Sequence, residues 1–150
     1  MIGVIQRVKK AQVEINGAIY SNIQEGLLVL LGITHADEQA DADWMATKVC
    51  GLRIFSDDNG KMNKSLTDIN GELLIVSQFT LLASTQKGNR PSFIEAARPE
   101  QAIPLYEQFI RSCQLNITKY IATGIFGADM LVTLANDGPV TIIIDSKNKH

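Results

Sequence analysis

Residues 72–82, ELLIVSQFTLL, form the strongest strand signal in the chain. A second apolar run, GLLVLLGI at 26–33, reads as a fully buried strand. Strand-like alternation also opens the chain, with Ile2 and Val4 and later Val13 and Ile15 before the turn residues Asn16 and Gly17. Near the other end, ADMLVTLAN and VTIIID flank Asp137, Gly138 and Pro139. Asp-Gly between apolar runs predicts a hairpin, and Pro is tolerated as the first residue of a strand.

Two segments break this pattern with a helical period. From Asp37, taken as an N-cap, the residues Trp44, Met45, Val49, Leu52 and also Phe55 recur on one side. SDDNGKMN at 56–63 then reads as a turn-rich loop; DDNG lacks the alternating ligands and terminal glutamate of a calcium loop. A second helix carries Ile103, Tyr106, Phe109, Ile110 and Cys113, with Pro104 expected to start it late or kink it. Strands predominate and two helices pack against them. The expected fold class is α+β, a mostly antiparallel sheet or barrel with two main helices packed against it.

The totals narrow the function. A chain of 150 residues without repeats or linkers suits one domain, residues 1–150, burying roughly two-thirds of its unfolded surface. A net charge of −2 argues against coating nucleic acid by bulk charge, so no DNA partner is expected. Positive charge is nevertheless uneven. Arg7, Lys9 and Lys10 precede the first acid, and TQKGNRPSF at 85–93 carries Lys87 and Arg90 with none. MIGVIQRVKK lacks the basic-then-apolar order of a secretory signal, and no run is long enough to span a bilayer. Cys50 and Cys113 have no metal-ligand spacing and read as small core hydrophobes in a reducing compartment. The cytoplasm is the expected location, with no membrane partner.

Standard catalytic machinery is missing. The two histidines are His35, beside a strand end, and His150 at the terminus. A histidine after a strand is more often a surface or cap residue than a base. There is no GxSxG elbow, HExxH, Cys/His cluster, GxGxxG or GxxxxGK[ST], so neither a metal nor a cofactor is expected. What remains is SQFT. Alternation sends Ser77 and Phe79 to one face and Gln78 and Thr80 to the other. Serine and threonine in a strand also simply bond neighbouring backbone. A buried Gln78 is harder to pass over, because an unpaired amide costs on the order of 1–3 kcal/mol.

SQFTL at 77–81 together with NDGPVT at 136–141 resembles the D-aminoacyl-tRNA deacylase family, bacterial and eukaryotic type. IQRV at 5–8, GLLVLLG at 26–32, RIFSDDNGKMN at 53–63, GNRPSF at 88–93 and GIFGADM at 124–130 resemble family segments in family order. Each segment alone is weak, and the ordered set covers essentially the whole chain. Pro104 and the tail DSKNKH are its departures. The resemblance implies a homodimer acting on the 3′ acceptor end of aminoacyl-tRNA, cleaving the ester between a D-amino acid and the terminal adenosine. It also implies that SQFTL of one subunit faces Gly138 and Pro139 of the other, across a cis bond. Composition does not reach that far, since only about 5–6% of X–Pro bonds in folded proteins are cis.

The resemblance also implies roles for particular residues, and the chemistry of such a reaction fits them. Such an enzyme accepts any D side chain, so it must sort substrates by where the Cα substituent points. Two carbonyls at a Gly-Pro bend, with no glycine side chain in the way, would orient the substrate amine and clash with an L side chain. Glycine has no side chain to refuse, so glycyl-tRNA mischarged on tRNA-Ala is an expected further substrate. Arg7 is expected to hold those carbonyls. Ser77, Gln78, Phe79 and Thr80 are the catalytic candidates, with the Phe79 and Thr80 amides stabilising the oxyanion. The rival mechanism makes Thr80 a covalent nucleophile. Phe126 and Met130 would line an adenosine pocket, although both also suit a hydrophobic core. Lys87 and Arg90 either touch acceptor-stem phosphates or are solvated loop charges. Two other readings stand beside this one: a sibling deacylase removing a wrong L-amino acid, and a non-catalytic tRNA-binding module.

Overall fold

Alternate residues of two central strands enter two different cores in the computed structural model, which describes residues 1–149. From β3 (Gly26–Gly32), Leu27, Val29 and Leu31 face one core while Leu28 faces the other. From β6 (Glu72–Ser77), Leu73 and Ile75 go to the first core, Leu74 and Val76 to the second. Both runs are apolar throughout because both of their faces are covered. The first core is closed by α1 (Gln39–Gly51) and α2 (Pro99–Gln114), through Ala42, Met45, Val49, Tyr106, Phe109 and Cys113. The second is the interior of a nearly closed barrel.

That barrel is organised by β1 (Ile2–Ile15). On one edge its first half pairs antiparallel with β3 and its last residues with β2 (Ala18–Ile23). β3 continues parallel to β6, and β6 parallel to β7 (Ile121–Thr123). Ser21 of β2 donates its hydroxyl to the Thr123 carbonyl of β7 at 2.7 Å, drawing the two ends of the sheet together. The other edge of β1 pairs along its length with β8 (Leu131–Asp145). The architecture is therefore α+β with two helices on a mixed, mainly antiparallel sheet, as expected.

Several local expectations are corrected. The 131–135 and 140–145 segments do not form a hairpin with each other, because both find β1 instead. Gln6 pairs with Thr141 and Val8 with Asn136, so residues 137–140 lie opposite Arg7 alone and form a bulge. The strand predicted to run to residue 82 ends at Ser77, and Phe79–Leu82 is a short 3₁₀ helix, so strand alternation does not apply to Phe79 and Thr80. Phe55 leaves the first helix to form β4 (Phe55–Ser56), paired with β5 (Met62–Lys64) around a turn at Asp57–Gly60. α2 starts at Pro99 and runs through the exposed Pro104 without starting late. Ile103 points outward and Ala102 takes the core position. Cys50 and Cys113 are buried free thiols. His150 lies outside the described residues.

Glu38, not Asp37, caps α1, in a reciprocal box with Asp41. Asp37 is buried one step earlier, where it accepts from the Thr34 amide at 2.7 Å and the Met1 ammonium at 2.5 Å. Asp41 is nearly buried too. Burial opposes its charge, but the Lys147 ammonium at 2.7 Å, the Glu38 amide and Ser146 outweigh it and hold the carboxyl at about 2. A carboxyl depressed on folding stabilises the native state above its unfolded value near 3.8, and the gain is lost as pH falls towards 2. Asp41→Asn is expected to flatten the acid limb of a stability-against-pH curve over that interval, measured by urea unfolding. Among the described residues no helix is long and apolar enough to cross a membrane.

Candidate active site

The end of β6 and the segment after β7 meet around a cavity of about 280 Å³. Ser77, Gln78 and Phe79 line one side, and Phe126 and Met130 another. Their convergence has a local cause. The Gln78 amide donates to the Leu31 carbonyl at 2.7 Å, carrying the chain one residue beyond the strand before it turns. The 3₁₀ helix then folds back over β3 at Gly32, where a Cβ would lie 2.5 Å from Leu82 Cδ2 and 3.1 Å from the Gln78 carbonyl. On the other wall, Gly127 at φ 77° makes the left-handed turn that follows Phe126. Tyr106 anchors the floor by donating to the Ile75 carbonyl at 2.9 Å, and its ring packs edge-on to Phe126 at 5.9 Å. Burial raises the Tyr106 phenol well above its ordinary value, so it stays a neutral donor.

Gln78 is half-buried rather than buried, and its amide donates to the Thr80 hydroxyl at 2.5 Å. Thr80 is exposed and does not line the cavity. Among the described residues, no histidine, carboxylate or lysine bonds its hydroxyl, and the Phe79 and Thr80 amides bond no other protein group. These two free N–H groups open the 3₁₀ helix. His35 is exposed and donates from Nε2 to the Ile94 carbonyl at 2.8 Å, so it fastens a loop. That loop carries the exposed Lys87 and Arg90 and, at Phe93, packs edge-on against Phe79 at 5.2 Å.

Phe126 and Met130 are at once partly buried core residues and cavity walls. Asp129, on the rim, was not singled out from the sequence. It stands inside the FGADM segment, and the only signal was a lone carboxylate between two apolar residues. Ala97 and Ala102 also line the cavity without any sequence signal beyond small size.

Gly138, Pro139 and Arg7 lie elsewhere. Their peptide bond Gly138–Pro139 is cis, and both residues are exposed on the bulge. Register fixes the separation: Ser77 is level with Leu31, Gly3 and Ile144, whereas Arg7 is level with Leu27 and Leu73. Four residues of strand, about 13 Å, and the strands β1 and β3 therefore separate the bulge from the cavity of its own chain. The Arg7 guanidinium reaches the bulge through Asp137, donating from Nε to its carbonyl at 3.1 Å and lying 3.0 Å from its carboxylate. No side-chain donor among the described residues reaches the carbonyl of Gly138 or Pro139.

The fold is a nearly closed α+β barrel whose cavity is lined mainly by apolar side chains, with Ser77, Gln78 and Asp129 as its polar members. The sequence model of the D-Tyr-tRNA(Tyr) deacylase family matches residues 4–145. A D-aminoacyl-tRNA deacylase of Cytophaga hutchinsonii is 70% identical over 150 residues, 100% of both chains. One from Flavobacterium psychrophilum is 58% identical over 147 residues, 98% of each. A solved structure described as c-Myc DNA Unwinding Element Binding Protein superposes at TM-score 0.91 with 42% identity, covering 97% of this chain and 98% of that one. A probable eukaryotic D-amino acid tRNA deacylase shares the fold at TM-score 0.80 and 16% identity, over 95% and 97% of the two chains. The chain belongs to the D-aminoacyl-tRNA deacylase family.

Proposed function

We propose that this protein hydrolyses the ester joining a D-amino acid to the 3′-terminal adenosine of tRNA, working as a homodimer in the cytoplasm. The observation that carries the proposal is the pair of unbonded Phe79 and Thr80 amides that open the 3₁₀ helix directly after Ser77 and Gln78, with Phe79 on the cavity wall. An aminoacyl ester is already activated and has a ribose hydroxyl beside it, so orientation and two oxyanion donors suffice for turnover. Ser77 and Gln78 order the adenosine end or a water, and Phe126 and Met130 receive the adenine ring. Lys87 and Arg90 touch acceptor-stem phosphates, so binding weakens as salt rises.

Chirality is sorted by the Gly138–Pro139 bulge of the partner subunit. The distance between bulge and cavity within one chain supports this: the gate can meet the cavity only from a second copy. Its carbonyls take the substrate ammonium and exclude an L side chain, while glycine, charged on tRNA-Ala, passes.

The test compares D- and L-charged tRNA with the wild type and Thr80→Ala. We expect wild-type hydrolysis of the D-ester only, and Thr80→Ala within about tenfold of it, because the backbone amide remains. Loss of turnover in Thr80→Ala with tRNA binding intact would overturn the backbone mechanism and favour the rival in which the hydroxyl is the nucleophile. Hydrolysis of the L-ester would identify the sibling activity, and equal binding without hydrolysis a binding module.

A further inference from the structure

The bulge opposite Arg7 is tied by one further side chain. Asn136, the residue before the bulge, pairs with Val8 across the sheet. Its Nδ2 donates to the Arg7 carbonyl at 3.0 Å and to the Val140 carbonyl at 3.2 Å. One carboxamide therefore links both ends of the bulge to the facing strand. Its Oδ1 lies 2.8 Å from the position a Cβ on Gly138 would take, so the same group also fills the space beneath that residue. Arg7 completes the arrangement at the Asp137 carbonyl. The two side chains thus occupy the outer carbonyls, those of Asp137 and Val140, and leave the inner pair to other partners.

We infer that Asn136 is a positioning residue for stereospecificity: it fixes the direction of the Gly138 and Pro139 carbonyls by restraining their neighbours. The inference rests on the proposed gate and goes beyond it, because Asn136 touches no substrate in that scheme. Each of its bonds is a neutral amide–carbonyl contact, so losing both restrains the bulge less without removing any oxyanion donor. The error then appears in which enantiomer is accepted.

The experiment measures kcat/KM for D- and L-aminoacyl-tRNA in Asn136→Ala, Asn136→Asp and Asn136→Ser, with hydrogen–deuterium exchange of the 136–141 segment. Alanine removes both donors, aspartate keeps the shape without them, and serine keeps one. The D-to-L ratio is expected to fall about tenfold or more in alanine and aspartate, mainly through faster L hydrolysis, and less in serine. Exchange at 136–141 should rise while residues 2–6 stay protected. A wild type that fails to prefer the D-ester overturns the gate itself. A wild type that prefers it, with the ratio unchanged in the variants or both rates falling in parallel, overturns only the role of Asn136. Failure of all three variants to fold assigns Asn136 to the scaffold and likewise overturns it.

Discussion

Gly138→Ala is expected to lower kcat/KM on D-aminoacyl-tRNA about 100-fold while the melting temperature stays nearly constant. Gly138 does not sit in the left-handed region, unlike Gly127, so alanine strains no backbone torsion there. It is exposed, and its new methyl would meet only Asn136 Oδ1 within 3 Å. Reduced freedom of the unfolded chain favours alanine by about 0.4–1 kcal/mol, which offsets that contact. On the proposed gate, the expected loss comes from crowding outside the bulge, where the substrate Cα would approach, in addition to the contact with Asn136 Oδ1. Steady-state hydrolysis of D-charged tRNA with parallel thermal unfolding checks this. Unaltered turnover would mean that nothing approaches Gly138 during the reaction.

Phe109→Ala carries the largest expected stability effect. Phe109 is fully buried where α2 meets α1 and the sheet. Removing a ring from such a site costs about 3–5 kcal/mol, the sum of lost burial and an unfilled cavity. For a chain of this length that corresponds to roughly 6–20 °C in Tm. α2 also carries Ala102 and Tyr106, which back the cavity, so the temperature at which activity is lost should fall with Tm. Calorimetry reads the first quantity directly. A change below about 1 kcal/mol would show that the helices do not seal this face of the sheet.

The central strands were legible from their short continuous apolar runs, which alternate into two cores and so need apolar residues on both faces. The end of β6 was not, since Gln78 takes a tertiary bond to Leu31 before the chain turns. Propensity cannot see a partner 47 residues away, as the separation of the two positions shows. The hairpin expectation failed for a similar reason. Asp-Gly-Pro marks a departure from strand pairing, but a turn and a bulge use the same residues, and only β1 decides between them. Asp37 looked like a cap and was drawn instead into a buried polar cluster.

In the candidate site, Ser77 and Gln78 stood out as polar residues in an apolar run. Phe126 and Met130 did not, because a wall of a cavity and a piece of core have the same composition; only resemblance singled them out. The free amides of Phe79 and Thr80 belong to the main chain and have no letter in a sequence. The separation of Arg7 and Gly138 from the cavity is a property of register, which follows from pairing and not from any single segment.

The proposed function requires that main-chain oxygens of one copy serve the cavity of another. Two impaired variants, Gly138→Ala and Phe79→Pro, each spoil one half of such a shared site. Mixed at equal concentration and allowed to exchange subunits, they should regain about one quarter of wild-type activity, since half the dimers carry one intact site of two. A mixture that forms heterodimers yet shows no more activity than its parents would contradict the account.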